Sequence, residues 1–341
     1  MTSIDAPFVT VLMPVFNAEK FLRQSITSVL HQEFSDFELL IVDDGSTDDS
    51  LKIAREFTDP RVQLLPLPAN VGFVEALNQG LAKARAPWIA RQDADDLSRF
   101  DRLQEQVNRA MENPEADFLY SDAHLINNSG IFCGMLHAPE NEKLLRWDLC
   151  FRNAIPHSSV MFRHDKVFDN LKGYKRDNVS ADYDLWTRLL ANGRAVKCEG
   201  ALVSYRQHAK SIMGTENDAV DKVSSAPLRE IMGQNISRFA GDSIKSENFR
   251  EIMNAWTDCE DLNWKNYFEQ RDQLMKAFLI KESNVVGMNN LLAQQDYTLF
   301  HRMLRKSRGE ARKFLQACRA QKSEGFAHLP WFKIAASFFT K

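Results

Sequence analysis

The first half of the chain alternates short apolar runs with segments of helical apolar spacing, and this alternation limits the available folds more than any other feature. The predicted strands are 8–13, 37–42, 61–67 and 87–91, and the helical segments are 17–32, the end of 43–57, and 70–86. Strands that alternate with helices in this way form a parallel sheet with helices on both faces. The sequence therefore predicts an α/β fold with a Rossmann-like sheet.

Acidic residues follow two of these predicted strands. Asp43 and Asp44 come directly after 37–42, and Asp93, Asp95 and Asp96 follow 87–91. Ligands of such sheets bind at the carboxyl ends of the strands. We therefore expect both acidic groups to face one crevice.

The pattern changes in the later part of the chain. A hairpin is predicted over 117–137, a helix over 141–151, strands at 158–163 and 201–208, and a helix over 180–193. Beyond residue 215 only helical spacing remains. A boundary near residue 214 divides the chain into an α/β domain, 1–214, and a helical C-terminal domain, 215–341.

Bulk properties exclude several classes of protein. A length of 341 residues suggests two domains, and the net charge of −3 gives no general argument for nucleic-acid binding. The five cysteines form no CxxC pair, so neither a zinc site nor a disulfide framework is indicated. We find no signal peptide and no apolar run long enough to span a membrane, which favours a cytoplasmic protein.

The acidic turn after 87–91 has two interpretations from its residues alone. Clustered carboxylates repel one another unless a cation offsets their charge. Mg²⁺ or Mn²⁺ prefers oxygen ligands and binds carboxylates together with phosphate oxygens, so Asp93 and Asp95 could hold a cation on a diphosphate. The alternative is a solvated acidic loop in which Asp96 or Ser98 caps the next helix.

Ser46 or Thr47 is the predicted N-cap of the helix within 43–57.

Several longer segments occur together in a characteristic order. They are VLMPVFN, LLIVDDGSTDDS, NVGFVEALNQGLAKARAPWIARQDADD, DLSRFDRLQEQV, AIPHSSVMFR, SADYDLWTRLL and YRQHAKSI. In this order they resemble the inverting, nucleotide-sugar-dependent glycosyltransferases of family 2, over roughly residues 8–213. The resemblance implies a GT-A fold for the domain 1–214, with a mostly helical C-terminal extension outside it.

The resemblance also implies roles for individual residues on the donor side. Pro14, Phe16 and Asn17 stand where a loop cradles the nucleotide base, and Asp43 matches a carboxylate that accepts a hydrogen bond from it. Asp93 matches a contact to ribose or metal, and Asp95 matches a ligand of Mn²⁺ or Mg²⁺. Relatives often carry a basic residue in the segment corresponding to 70–80, and this chain has none there.

Further residues match the chemical step and the acceptor side. Asp182 matches the catalytic base, although the preceding position, often Glu in the family, is Ala181 here. His208 follows the last predicted strand, where a histidine can contact metal or phosphate, but a structural role is equally open. His157 either lines the acceptor side or is buried and hydrogen-bonded. Arg91 either pairs with an aspartate or reaches a phosphate.

A basic stretch, 301–322, has apolar residues at roughly helical spacing and precedes an aromatic segment. Such a helix could lie peripherally on the inner face of an anionic membrane, or its apolar stripe could pack within a helical domain or against a second subunit. No motif that reads nucleic acid accompanies it.

The expected activity is a metal-dependent sugar transfer (EC 2.4) from a UDP-sugar to a hydroxyl of a saccharide or lipid-linked saccharide acceptor. This activity would serve cell-surface polysaccharide, lipopolysaccharide or capsule synthesis. Two alternatives are a non-catalytic scaffold that binds a nucleotide sugar and a sugar-phosphate nucleotidyltransferase. The latter usually has a Gly-rich basic loop near the N-terminus, which PVFNAEKFL lacks.

Overall fold

The computed structural model describes residues 6–175, 180–207, 225–240, 246–257, 262–282, 285–306 and 308–320. Two compact units make up the chain. The first contains residues 1–142 and 154–219, and the second contains 143–153 and 220–341. No local sequence pattern signals that the middle segment 143–153 belongs with the C-terminal residues.

The first unit is built on a sheet whose four leading strands are parallel. They are β1 (Val9–Val15), β2 (Phe37–Asp43), β3 (Val62–Pro66) and β4 (Trp88–Arg91), in the spatial order β3-β2-β1-β4. From β1 the chain adds β2 and β3 on one side and then β4 on the other side. In such sheets a crevice opens between the two strands where the direction changes, here β1 and β4, at the carboxyl ends of the strands. The α/β fold predicted from the alternation of strands and helices is confirmed.

Helices cover both faces of these strands. They are α1 (Leu22–Leu30), α2 (Ser50–Arg55), α3 (Phe73–Lys83) and α4 (Arg102–Glu112). Val9, Val11 and Met13 of β1 pack in one core with apolar residues of α1 and α4. Leu12, on the opposite face of β1, meets Gly80 of α3. Successive side chains of a strand point to opposite faces, so β1 contributes apolar side chains to the packing on both sides of the sheet.

The remaining strands of the described sheet are mostly antiparallel. They are β5 (Leu97–Ser98), β6 (Phe118–Ile126), β7 (Phe132–Leu136), β8 (Met161–Arg163) and β9 (Ala195–Arg206), and they extend the order to β4-β8-β6-β9-β5, with β7 paired to β6. The predicted hairpin is β6–β7. A helix that follows 180 in the chain, α6 (Ala181–Leu189), packs Trp186 against Phe118 and Phe162.

The second unit is helical throughout its described residues. Its helices are α5 (Glu142–Asp148, whose first residue belongs to the first unit), α7 (Ser225–Ala240), α8 (Arg250–Trp256), α9 (Trp264–Lys281), α10 (Met288–Lys306) and α11 (Arg308–Ala320). In α11 the apolar residues Ala311, Phe314, Leu315 and Cys318 are buried. Phe314 contacts the rings of Trp264 and Phe268 in α9. The apolar stripe of the basic stretch therefore packs inside the helical unit.

Among the described residues, none of the helices is both long and apolar enough to cross a membrane.

Two expectations for local structure are wrong. Helix α2 begins at Ser50 with Asp49 at the N-cap position, so neither Ser46 nor Thr47 caps it. Both of these residues instead bond to Asn17, in the loop after β1. Within the segment 158–163 the paired strand begins only at Met161, because His157–Ser159 forms a 3₁₀ turn.

Candidate active site

The loops that follow β1 and β2 are joined by hydrogen bonds. Asn17 has a left-handed backbone (φ 51°), and its Oδ1 accepts from the backbone N–H of Thr47 at 2.8 Å. The N–H of Asn17 donates to Ser46 Oγ at 3.1 Å, and that of Ala18 donates to Ser50 Oγ at 2.8 Å. Asn17, a predicted base contact, therefore has a clear role in holding two loops together.

Asp44 ties a third loop to this pair. Its carboxylate accepts from the N–H groups of Val71 at 2.7 Å and Gly72 at 3.0 Å, just before α3. Asp44 is 2% exposed, so both of its oxygens are committed to the backbone. The three loops at the carboxyl ends of β1, β2 and β3 thus form one connected wall.

Asp43, one residue earlier, has a different environment. Its Oδ2 accepts from the N–H of Ser46 at 3.2 Å, but its Oδ1 is buried and has no hydrogen-bond partner within the described ranges. Phe16 and Val71 leave large apolar surfaces exposed on two of the same three loops, while Pro14 is buried within β1. A buried carboxylate oxygen without a partner is costly, and it is suited to receive a donor from a ligand.

The acidic turn after β4 is held by buried side chains. Asp93 Oδ1 pairs with Nη2 of Arg91 at 2.6 Å, and Asp93 Oδ2 lies 3.0 Å from Ser158 Oγ. The Asp93 side chain is 22% exposed, whereas Arg91 is fully buried. Arg91 therefore pairs with an aspartate, which was one of its two expected roles.

Asp96 does not cap the next helix, which corrects the expectation from sequence. Helix α4 begins at Arg102, with Asp101 at the N-cap position. Asp96 is fully buried and accepts from the N–H of Arg206 at 2.8 Å, while its Oδ2 lies 2.5 Å from Ser158 Oγ. Burial, together with the charges of Asp95 and Asp93, raises the pKa of Asp96 well above its ordinary value.

Arg206, at the end of β9, joins three elements around this turn. Its Nε donates to the main-chain oxygen of Asp95 at 2.8 Å, its Nη1 to the oxygen of Asn127 in the β6–β7 turn at 3.1 Å, and its Nη2 to Gln24 of α1 at 3.2 Å. Sequence reasoning missed both Arg206 and Ser158. Each lies inside a quoted segment, but nothing in the residue type distinguishes it from its neighbours.

Asp182 lies in the first turn of α6 and is half-buried. Its Oδ1 accepts from the N–H of Tyr183 at 2.8 Å. Asp184, two residues further, is buried and pairs with Arg188 at 2.6 Å and Lys175 at 3.1 Å, so its role is structural. The two acids of this turn therefore differ in how accessible they are.

Tyr205 relates the two groups of carboxylates to each other. Burial raises the pKa of its phenol, and the negative charges of Asp96, Asp93, Asp95 and Asp182 raise it further. All four carboxyl groups therefore lie within electrostatic reach of one phenol. Tyr205 was not singled out from the sequence, because a tyrosine in a strand is common.

His157 is buried in the 3₁₀ turn before β8, and its Nε2 contacts Arg91 Nε at 2.9 Å and the hydroxyl of Tyr174 at 2.8 Å. The other predicted histidine, His208, lies outside the described residues.

The described residues include no cluster of three or more His, Cys, Asp or Glu side chains that could by themselves hold a metal ion. The donor chemistry at the turn nevertheless fits a hard divalent cation. Asp93 and Asp95 offer partly exposed carboxylates, and a carboxylate oxygen that already accepts one hydrogen bond keeps a further lone pair. Mg²⁺ is commonly bound by only one or two carboxylates, with phosphate and water completing its shell.

Solved structures with a similar architecture are sugar transferases with the GT-A fold. TarS of S. aureus in complex with UDP-GlcNAc aligns with a TM-score of 0.58 and 18% identity, covering 79% of this chain and 81% of TarS. The mannosyltransferase PcManGT of Pyrobaculum calidifontis, in complex with GDP-Man and Mn²⁺, aligns with a TM-score of 0.53 and 16% identity, covering 94% of this chain and 88% of that one. These likenesses establish the GT-A fold.

Sequence relatives define the family. Residues 10–144 match the model of Glycosyl transferase family 2. The chain is 33% identical to the O-antigen biosynthesis glycosyltransferase WbnJ of Escherichia coli, over 66% of this chain and 89% of WbnJ. It is 35% identical to the E. coli UDP-Glc:alpha-D-GlcNAc-diphosphoundecaprenol beta-1,3-glucosyltransferase WfgD, over 61% of this chain and 81% of WfgD. The chain belongs to glycosyltransferase family 2, as its motifs predicted.

Proposed function

We propose that this chain transfers a sugar from a UDP-sugar to a hydroxyl of a saccharide or lipid-linked saccharide, with inversion at the anomeric carbon and with the help of a divalent cation. The saccharide acceptor is supported by the names of WbnJ, an O-antigen enzyme, and WfgD, which acts on a diphosphoundecaprenol-linked sugar. The proposed product is therefore a growing cell-surface polysaccharide.

The observation that carries the proposal is the unpartnered Oδ1 of Asp43, beside three loops that hydrogen bonds already join to one another. In a uridine nucleotide, uracil has one ring N–H, at N3, and a carboxylate oxygen is a strong acceptor for it. Phe16 and Val71 offer exposed apolar surface on which a flat base can lie. The three loops thus suit a uracil nucleotide.

The diphosphate belongs at the acidic turn. Asp93 and Asp95 would hold Mn²⁺ or Mg²⁺ there, and the cation would offset the charge of the departing nucleoside diphosphate. Arg91 and Ser158 orient Asp93, and Arg206 fixes the main chain at Asp95. These contacts keep the two carboxylates in place before any ligand arrives, which is the arrangement that electrostatic catalysis requires.

Asp182 is the proposed general base. An aspartate is ionised at neutral pH, so it can accept the acceptor hydroxyl's proton as that oxygen bonds to the anomeric carbon. The bond to the diphosphate oxygen breaks in the same displacement, and attack from the opposite face inverts the anomeric centre. Ala181 leaves no second carboxylate beside the base.

A panel of nucleotide sugars with purified protein tests the proposal. A preferred UDP-sugar should raise the melting temperature by mass action, and UDP release should require Mn²⁺ or Mg²⁺. Asp95→Asn should abolish metal-stimulated release, with Asp36→Asn, an exposed acid distant in sequence, as the control.

Three results would contradict the proposal. Binding without turnover on any lipid-linked or free saccharide would indicate a scaffold. Pyrophosphate release from UTP and a sugar phosphate would indicate a nucleotidyltransferase. A product that retains the donor's anomeric configuration by NMR would exclude the single displacement.

A further inference from the structure

A fully buried guanidinium lies behind the acidic turn and is bound on every side. Arg91 donates from Nε to His157 Nε2 at 2.9 Å, from Nη1 to the main-chain oxygen of Leu12 at 2.5 Å, and from Nη2 to Asp93 Oδ1 at 2.6 Å. The planar fork of an arginine holds its donors in fixed directions. The direction of Nη2 toward Asp93 is therefore determined by the acceptors of Nε and Nη1.

The hydrogen atoms in this group can be assigned from the contacts. Arg91 Nε always carries a hydrogen, so the Nε2 atom of His157 facing it must be unprotonated. The Tyr174 hydroxyl, 2.8 Å from the same nitrogen, must then donate its hydrogen. Burial and the charge of Arg91 lower the pKa of His157 well below its ordinary value, in agreement with a neutral ring protonated at Nδ1.

Tyr174 is itself held by the sheet's helical cover. Asn78 of α3 accepts from the N–H of Tyr174 at 2.8 Å and donates to its main-chain oxygen at 2.9 Å. Gly173 permits this approach, because a Cβ there would lie 2.3 Å from Asn78 Oδ1 and its φ is +78°. Tyr174 thus connects α3 to His157, through its main chain and its hydroxyl respectively. His157 in turn contacts Arg91.

We infer that His157 and Tyr174 are positioning residues for the donor carboxylate Asp93, acting through Arg91. This inference rests on the proposed function, in which Asp93 helps to bind the cation and diphosphate of the donor. His157 presents Nε2 as the acceptor for Arg91 Nε, and the Tyr174 hydroxyl holds the imidazole ring through the same atom. This arrangement keeps Nη2 of Arg91 on Asp93 Oδ1. Ser158 holds the other oxygen of the same carboxylate at 3.0 Å. The plane of the Asp93 carboxylate is thereby defined before the donor binds.

The test uses calorimetry to measure binding of the diphosphate separately from binding of the nucleobase. His157→Met removes the acceptor for Arg91, whereas His157→Gln can return one through its side-chain oxygen. His164→Met is the matched control, since His164 is a half-buried histidine whose ring contacts the main-chain oxygen of Leu81 and stacks on the ring of Phe168. The probes are UDP with Mn²⁺, and uridine, which has no phosphate.

His157→Met should weaken UDP–Mn²⁺ binding by about tenfold or more, as expected when a buried donor loses its acceptor and shifts. Uridine binding should stay within about twofold, and His157→Gln should restore most of the UDP–Mn²⁺ affinity, as hydrogen-bond replacement predicts. His164→Met should lower the melting temperature without changing either affinity. Tyr174→Phe, which removes one oxygen atom and retains the ring, should produce a smaller loss in the same direction, and keeps the test decisive if His157→Met does not fold.

Unchanged UDP–Mn²⁺ binding in both His157→Met and Tyr174→Phe would overturn the inference. An equal loss of uridine binding would also overturn it, because it would indicate a general structural role. Failure of the unaltered protein to bind UDP–Mn²⁺ would instead contradict the proposed function itself.

Discussion

Adjacent aspartates at the end of β2 show how much the local environment decides the role of a residue. Asp44 accepts from two backbone N–H groups and holds the loop before α3. Asp43 keeps one buried oxygen without a partner. Removing the charge from each should therefore have different results: loss of loop structure for Asp44 and loss of ligand affinity for Asp43.

Asp43→Asn should weaken uridine and UDP binding about ten- to hundredfold, because a hydrogen bond to a charged group contributes about 1.5–3 kcal/mol. Fold stability should change little, since the Asn side chain can still accept from Ser46. Calorimetric titration of uridine measures the effect, and Asp36→Asn, an exposed acid, serves as the control. Equal affinities in the two variants would rule out a contact between Asp43 and the base.

Asp182 and Asp184 form a matched pair in the first turn of α6. Asp182→Asn should lower kcat by about 10²- to 10⁴-fold, the usual contribution of a general base, while UDP binding is retained. Asp184→Asn breaks ion pairs to Arg188 and Lys175 and should lower the unfolding free energy by about 2–3 kcal/mol, with activity of the folded enzyme largely retained. Normal turnover by Asp182→Asn would assign the proton transfer to another group.

At the scale of elements, the separation of α3 from the sheet depends on a glycine. A Cβ at Gly80 would lie 2.3 Å from Leu12 Cδ1 and 3.0 Å from Val42 Cγ2, and both side chains are fully buried. The missing side chain lets the helix lie close to β1 and β2, and the N-terminus of α3 lies beside Asp44, in the loop that follows β2.

Gly80→Ala combines two opposing effects. Helix propensity favours Ala over Gly by about 1 kcal/mol, whereas overpacking a filled core costs about 1–3 kcal/mol. The cost of overpacking should exceed the gain in helix propensity, so the unfolding free energy measured in urea should fall by about 1 kcal/mol. Ala82→Gly, at an exposed position of the same helix, isolates the propensity effect. A stabilised Gly80→Ala variant would show that the packing can expand without loss.

The helices and strands that follow from a repeating apolar pattern could be predicted from the sequence. The predictions failed where a long-range contact of a single side chain decides the local structure. Apolar runs placed β1 to β4, and apolar residues at helical spacing placed α1 to α3. The N-cap at Ser46 or Thr47 failed because those residues bond to Asn17, 29 or 30 positions earlier in the chain. The buried position of Asp96 depends on Ser158 and Arg206, 62 and 110 residues away, which no local pattern can indicate.

At the scale of the whole molecule, each unit contains an ion pair with a buried arginine, and these two pairs differ in the exposure of the carboxylate. In the first unit the buried Arg91 faces a carboxylate that remains partly exposed. In the second unit Arg271 of α9 and Asp296 of α10 pair at 2.7 Å with both side chains almost completely buried. Such a pair contributes little net stability while intact, but leaves an uncompensated charge when one partner is removed.

Arg271→Met, which leaves the Asp296 carboxylate without its partner, should therefore lower the unfolding free energy by about 3 kcal/mol at neutral pH, and the double change Arg271→Met with Asp296→Leu should restore most of it. Burial raises the pKa of Asp296 from 3.8 to about 6, with Arg271 acting in the opposite direction. Between these pH values the folded state binds the proton more tightly than the unfolded state does. The contribution of Asp296 to stability is therefore largest below pH 3.8 and decreases as the pH rises to about 6.

Urea unfolding from pH 4 to 7 measures this contribution. Relative to the apolar double variant, the unaltered protein should lose stability as the pH rises from 4 to about 6. A difference that is constant with pH would show that Asp296 keeps its ordinary proton affinity.

The hydrogen bonds that join the loops after β1, β2 and β3 also bear on how fast a nucleotide is captured. Under the proposed function, loops that are joined in advance do not have to wait for a rare conformation, so uridine should associate at a rate set by collision and loss of water. Nucleotides that differ in affinity should then differ mainly in how long they stay bound.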